Sequence, residues 1–240
     1  MVIWLFAGGG ESEVEGLVPF LEKHFPSPKC HWERKTPVRK KRGPKPPKDG
    51  VSYGQTGESL EEHVKQRLQD SLANETACDL ILVIDDLDCR PDYLKQQKRF
   101  SEVIDSVTSA KNIKRIIGFA APEVEAWLIA DWEETLAKHV DFRGCHEALR
   151  WWLSHEKQVS FEYPESFSQY DAQRDCCEIK LSKALIDATA VNSCKKIFSK
   201  GIHTPFLLRE LNVQTVGKKC PIFKAWYEQL VAALVAKENV

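Results

Sequence analysis

The sequence predicts an α/β fold: a mainly parallel sheet flanked by helices, with a helical C-terminal extension. Three observations carry this expectation. Apolar runs of strand length occur at 2–7 (VIWLFA), 80–84 (LILVI) and 116–119 (IIGF). Each is followed by a stretch with helical spacing. Unbroken apolar runs mark strands buried on both faces, and strands alternating with helices mark a parallel sheet. Beyond about residue 135 the apolar runs stop and only helical periodicity remains. The chain therefore divides into an α/β domain at 1–135, with a basic loop inserted at 34–48, and a helical extension at 136–240 packed on it.

Size and composition agree with a folded chain. With 240 residues, 42% hydrophobic and 29% charged, it has material for a core and is neither disordered, collagen-like nor a coiled coil. The longest apolar run near the middle, 116–122, has seven residues; a membrane-spanning helix needs about 20. The apolar start lacks a basic region and meets Glu11 too early for a secretory signal, so it reads as a buried strand. The net charge of −1 implies no steering of nucleic acid by the molecule as a whole. The eight cysteines include no CxxC pair. Such spacing predicts reduced, mostly buried thiols in a cytoplasmic protein, without a zinc site.

The elements follow in order. Gly8, Gly9 and Gly10 end the first strand. Val14, Leu17, Val18, Leu21 and Phe25 then recur at offsets of three and four, which is a helix. From Arg34 to Lys48 come eight basic residues and no acid: Arg34, Lys35, Arg39, Lys40, Lys41, Arg42, Lys45 and Lys48. Pro37, Pro44, Pro46 and Pro47 forbid a regular helix there. Leu60, Val64, Leu68 and Leu72, spaced by four, predict a second helix at 58–73. The 80–84 strand runs into Asp85, Asp86 and Asp88, and residues 93–110 read as a third helix. After the 116–119 strand, Pro122 opens a helix at the favoured first position. Further helices are expected at 146–155, 179–190, 205–211 and 222–236.

Acids gather where chemistry is expected. Ligands of parallel α/β sheets bind beyond the carboxyl ends of the strands. Glu11, the group Asp85, Asp86 and Asp88, and the pair Glu123 and Glu125 each follow one of the three apolar strands. Carboxylates brought together in a cleft cannot all ionise without a cation, and Mg²⁺ is the hard ion that suits them. Plainer roles are open to the same residues. Acids at 123 and 125 suit the first turn of any helix, Asp88 and Asp92 suit turns, and Glu11 suits a cap. The glycine triplet is either a phosphate cradle or a tight turn. The basic stretch is either a solvated loop or a contact for a polyanion, whose binding would then depend steeply on salt.

The motifs FAGGGES, VIDDLDC and PEVEAWLIADWE together resemble a Toprim domain, as found in topoisomerases, primases and overcoming-lysogenization-type nucleases. More closely, they resemble a small prokaryotic Toprim-like family of unknown function, with EGxTE, DxD and ExEAWLLAD in that order. The late CPIFKAWYEQL segment is similar to that family's C-terminal pattern. The likeness spans nearly the whole chain; EAWLIAD is its most specific piece, and a DxD alone is weak. It implies a Mg²⁺- or Mn²⁺-dependent nuclease in antiviral defence, partnered by nucleic acid and by an ABC-type or AAA ATPase. Asp86 and Asp88 would then bind metal and act in catalysis. Glu11 would be general base or a further ligand, and Glu125, with Glu123 and Asp85, would complete the metal shell. One departure stands out: the glutamate of the first Toprim motif falls at Ala7, and Glu11 matches the second glutamate. A catalytically degenerate scaffold that binds nucleic acid or a partner protein is the alternative it implies.

Overall fold

The computed structural model describes residues 1–8, 11–26, 30–36, 58–74 and 77–235. The three apolar runs become β1 (Val2–Ala7), β3 (Leu80–Asp86) and β4 (Lys114–Ala120). A short β2 (His31–Arg34) joins them in one sheet, in the order β2-β1-β3-β4. Every neighbouring pair is parallel: Val2 lies opposite His31, Leu5 opposite Leu82, and Asp86 opposite Ala120. All four strands therefore deliver their carboxyl ends to one edge.

Alternation along the strands builds two cores. Ile3, Leu5 and Ala7 share one face with Leu80, Leu82 and Ile84. Trp4 and Phe6 share the other with Ile81 and Val83. The second face is covered by α2 (Glu58–Ala73) and α3 (Tyr93–Asp105). They bring Leu60, Val64, Leu68, Phe100 and Ile104 to it. On the first face lie α1 (Glu11–His24) and α4 (Glu125–Ala130), followed in sequence by α5 (His146–Glu156), α6 (Leu181–Val191), α7 (Lys200–Glu210), α8 (Val213–Lys219) and α9 (Pro221–Val235). Their apolar residues form one continuous core with that face.

Two glycines set how closely the C-terminal helices approach. A Cβ on Gly16 in α1 would stand 2.6 Å from Leu208 Cδ1 and 2.8 Å from Pro205 Cα of α7. One on Gly118 in β4 would stand 2.2 Å from Trp226 Cδ1 of α9. Helix α7 thereby lies flush on α1, and its first residue, Lys200, reaches the carboxyl edge of the sheet.

Four expectations are corrected. The helix drawn from Pro122 begins only at Glu125 and ends at Ala130, and the Ala121–Pro122 bond is cis. The Pro122 carbonyl instead accepts the Asp88 N–H at 2.9 Å. At the far end the Thr135 hydroxyl takes the Leu128 carbonyl at 2.8 Å, a group a continuing helix would bond through its own backbone. The third helix stops at Asp105, followed by a separate 3₁₀ turn at Thr108–Ala110. A small antiparallel hairpin, β5 (Tyr170–Asp171) and β6 (Cys176–Cys177), stands where no strand was expected. Finally, Cys89 bonds Cys177 and Cys145 bonds Cys194, while Cys30, Cys78, Cys176 and Cys220 remain thiols. The paired cysteines are 88 and 49 residues apart, so the fold and no local spacing brings them together. Among the described residues no helix is long and apolar enough to cross a membrane.

Candidate active site

Strand β3 ends in two aspartates, and alternation sends them apart. Asp86 follows Leu80, Leu82 and Ile84 toward the face covered by the C-terminal helices; Asp85 follows Ile81 and Val83 to the other. The Asp85 Oδ1 accepts the Asp86 N–H at 3.0 Å. The Asp86 Oδ1 accepts the Val124 N–H at 3.0 Å, so a β3 side chain caps the first turn of α4. That bond brings the 123–125 segment over the end of β3.

Three buried carboxylates then meet one ammonium. Lys200 Nζ stands 3.2 Å from Asp86 Oδ2, 3.6 Å from Glu123 Oε1 and 3.4 Å from Glu125 Oε2. Each acid is fixed from behind. Glu123 Oε2 accepts the Ser182 N–H at 3.0 Å, and its Oε1 the Ser182 hydroxyl at 3.1 Å. Glu125 Oε1 accepts the Thr204 hydroxyl at 2.8 Å. Asp88 stands beside this group in a loop where it and Cys89 adopt left-handed φ of 50° and 60°. Its Oδ1 lies 3.2 Å from Lys180 Nζ and its Oδ2 3.8 Å from Arg90 Nη1. All four acids are buried.

Burial pushes the Asp86 carboxyl up to about 7, Lys200 works against that, and Glu123, Glu125 and Asp88 add to it. Burial pulls Lys180 down, but Asp88 and Glu123 more than offset it, and its pKa is raised. The acids thus gather more negative charge than the buried edge tolerates without a cation. Lys200 supplies that cation from within the chain. The donor set suits a hard divalent ion such as Mg²⁺, because every inward atom is a carboxylate oxygen. Around the ammonium the oxygens are spaced more widely than the roughly 2.1 Å a bound Mg²⁺ demands. Consistently, no group of three His, Cys, Asp or Glu among the described residues stands in metal-binding geometry. An ion here would take the place of Lys200 Nζ, with the acids drawn in around it.

The profile of a family described as "Domain of unknown function (DUF4276)" matches residues 10–231. The chain belongs to this family. No curated protein and no solved structure matches the chain. The DUF4276 match takes in the whole acid cluster and the lysines that face it.

Of the site residues expected from the sequence, the structure brings together Asp86, Glu123 and Glu125, with Asp88 beside them. Asp85 occupies the opposite face. Glu11 opens α1, and its side chain lies outside the described residues. Arg34 is exposed at the end of β2. Lys35 is held by the sheet itself: its Nζ lies 2.9 Å from Glu33 Oε2 and 4.2 Å from the centre of the Trp4 ring. Arg39, Lys40, Lys41, Arg42, Lys45 and Lys48 lie outside the described residues. Sequence reasoning missed Lys200, Lys180, Arg90, Ser182 and Thr204. Four of the five come from the helical extension, and no spacing in the sequence ties them to the DxD.

Proposed function

We propose that this DUF4276 protein is a Toprim-like, Mg²⁺- or Mn²⁺-dependent nuclease that hydrolyses phosphodiester bonds. The observation that carries the reading is the convergence of Asp86, Glu123 and Glu125 on one cationic point at the carboxyl edge of a parallel sheet. When bound there, the ion would activate water and offset the charge that develops on the phosphodiester. Asp86 and Glu125, with Glu123, would hold it. Ser182 and Thr204 fix the angles of the two glutamates, so the oxygens need only be drawn inward. Asp88 lies beside the cluster, between Lys180 and Arg90, and it completes the DxD. Lys200 offsets part of the acids' negative charge until the ion arrives and would then face the substrate's phosphate. Glu11 is the general base in this reading. We place the protein in the cytoplasm, in antiviral defence, with nucleic acid and an ABC-type or AAA ATPase as partners.

The test is cleavage of single- and double-stranded DNA and RNA with Mn²⁺. Asp86→Ala combined with Asp88→Ala is expected to abolish it while far-UV circular dichroism stays unchanged. Cleavage that survives both substitutions refutes the assignment.

Two observations favour a second reading, a degenerate scaffold that binds nucleic acid or a partner protein. Ala7 is buried at the position of the first Toprim glutamate, and the Lys200 ammonium already occupies the point on which the three acids converge. Ala7→Glu separates the readings: under the nuclease reading it raises Mn²⁺-dependent cleavage, and under the scaffold reading the protein stays inactive.

A further inference from the structure

Arg90 has a second face. On one side it meets Asp88; on the other it borders a cleft of about 330 Å³ between the start of α3 and the β5–β6 hairpin. Its lining includes Arg90, Lys95, Arg99, Tyr170, Asp92 and Asp175. Into this cleft the hairpin turn inserts one carboxylate. Arg90 Nε donates to Asp175 Oδ1 at 3.0 Å and Nη2 donates to Oδ2 at 2.9 Å. The Tyr170 hydroxyl adds a third donor to Oδ1 at 2.8 Å. Arg90 Nη2 also reaches the Asp175 carbonyl at 3.1 Å.

A planar guanidinium that grips two oxygens side by side matches a phosphate as well as a carboxylate. The gripping group is built in and the gripped one is not. The Arg90 side chain is 11% exposed, whereas that of Asp175 is 61% exposed on a turn. An ion pair with so exposed a partner is worth little to stability. The hairpin does not depend on it, because the Cys89–Cys177 bond ties the residue next to Arg90 to the strand that follows Asp175. Without Asp175 the cleft would keep Arg90, Lys95 and Arg99 against Asp92, whose carboxylate is turned to the Lys95 N–H at 3.0 Å, while Arg99 shares its charge with Glu61 at 3.2 Å.

We propose that Arg90, Lys95 and Tyr170 form a binding subsite for a phosphate group, and that Asp175 fills it in cis until a phosphate displaces it. An anion there is separated from the Asp88 carboxylate by one guanidinium. Its use as a seat for a backbone phosphate of the substrate rests on the nuclease reading above; phosphate binding itself does not.

The experiment is calorimetric titration of the full, oxidised chain with inorganic phosphate, with no divalent cation present. Asp175→Asn keeps the shape, the acceptor oxygen and the tolerance of left-handed φ, and it removes the charge. It is expected to tighten phosphate binding about tenfold over wild type, the worth of one charge-assisted contact. Lys95→Ala, at an exposed position that no packing depends on, is expected to weaken binding several-fold in either background. Repeating the titration with an oligothymidylate lacking terminal phosphates distinguishes the source. Equal tightening assigns the subsite to a backbone phosphate, and tightening for inorganic phosphate alone assigns it to a free or terminal one. Unchanged or weaker binding by Asp175→Asn, or no effect of Lys95→Ala, overturns the subsite. Because the titration contains no metal, tighter binding by Asp175→Asn supports the subsite even where the protein proves unable to cut nucleic acid.

Discussion

Lys200 holds a position that defines the site: one ammonium within 3.6 Å of three buried carboxylates. Removing one member of a buried ionic group leaves the others uncompensated, at a cost of about 3 kcal/mol or more. Lys200→Ala is therefore expected to lose about that much in urea unfolding, and millimolar Mn²⁺ should restore part of it. Wild type, which carries its own cation, should gain less. A variant that ignores Mn²⁺ would argue against these acids as an ion site. Glu165 makes a separate residue-scale case. Its carboxylate accepts the Ile222 and Phe223 N–H groups at 2.9 and 3.0 Å, capping α9. Burial pushes it from 4.5 up to about 7, against the pull of those two amides. Its pKa is raised on folding, so its contribution is complete below pH 4.5 and is lost as pH climbs through about 7. Glu165→Gln keeps an acceptor and removes the titration. Its stability relative to wild type should rise by on the order of 3 kcal/mol across that window. A flat difference in urea unfolding between the two ends would mean that the helix amides cancel the effect of burial on this carboxyl.

The elements differ in how readily they could be read. Strands β1, β3 and β4 are legible because each contains an unbroken apolar run, and α2 because four apolar residues recur at spacing four; β2, with the sequence HWER, carries no such run. The 122–140 stretch keeps helical periodicity throughout, yet the helix spans only Glu125–Ala130, and the Thr135 hydroxyl bonds the Leu128 carbonyl beyond it, which no pattern in the sequence announces. Strands of two residues, such as β5 and β6, carry no period at all. The acids were legible as a group past the strand ends. What stayed hidden was which acids converge: Asp85 and Asp86 are chemically alike and only the pleat separates them. At this scale Gly118 decides where α9 lies. A Cβ there meets Trp226, whose ring stacks on Trp127 of α4 at 5.8 Å and so has no room to swing. Gly118→Ala is expected to cost about 1–3 kcal/mol. Unfolding at the wild-type urea midpoint would show that α9 sits further from β4 than described.

Across the whole molecule, the helical extension completes the site. Strand β3 and the loop after it supply Asp86 and Asp88, and the segment after β4 supplies Glu123 and Glu125. The extension then returns Lys180, Ser182, Lys200 and Thr204 to the same edge. This is why the lysines escaped a reading by motif: more than ninety residues separate the DxD from them, and only the packing of α6 and α7 against the first face closes that distance. A cation site supplied in cis by a lysine accounts for a stable buried acid cluster without metal, and it leaves the same oxygens ready for a divalent ion. Diffraction from crystals soaked in Mn²⁺, with anomalous differences collected, tests this most directly. The account predicts a peak within about 2.2 Å of oxygens from Asp86 and Glu125, with the Lys200 ammonium withdrawn from between them. A Lys200 ammonium still seated among the three carboxylates, with no peak at that edge of the sheet, would contradict it.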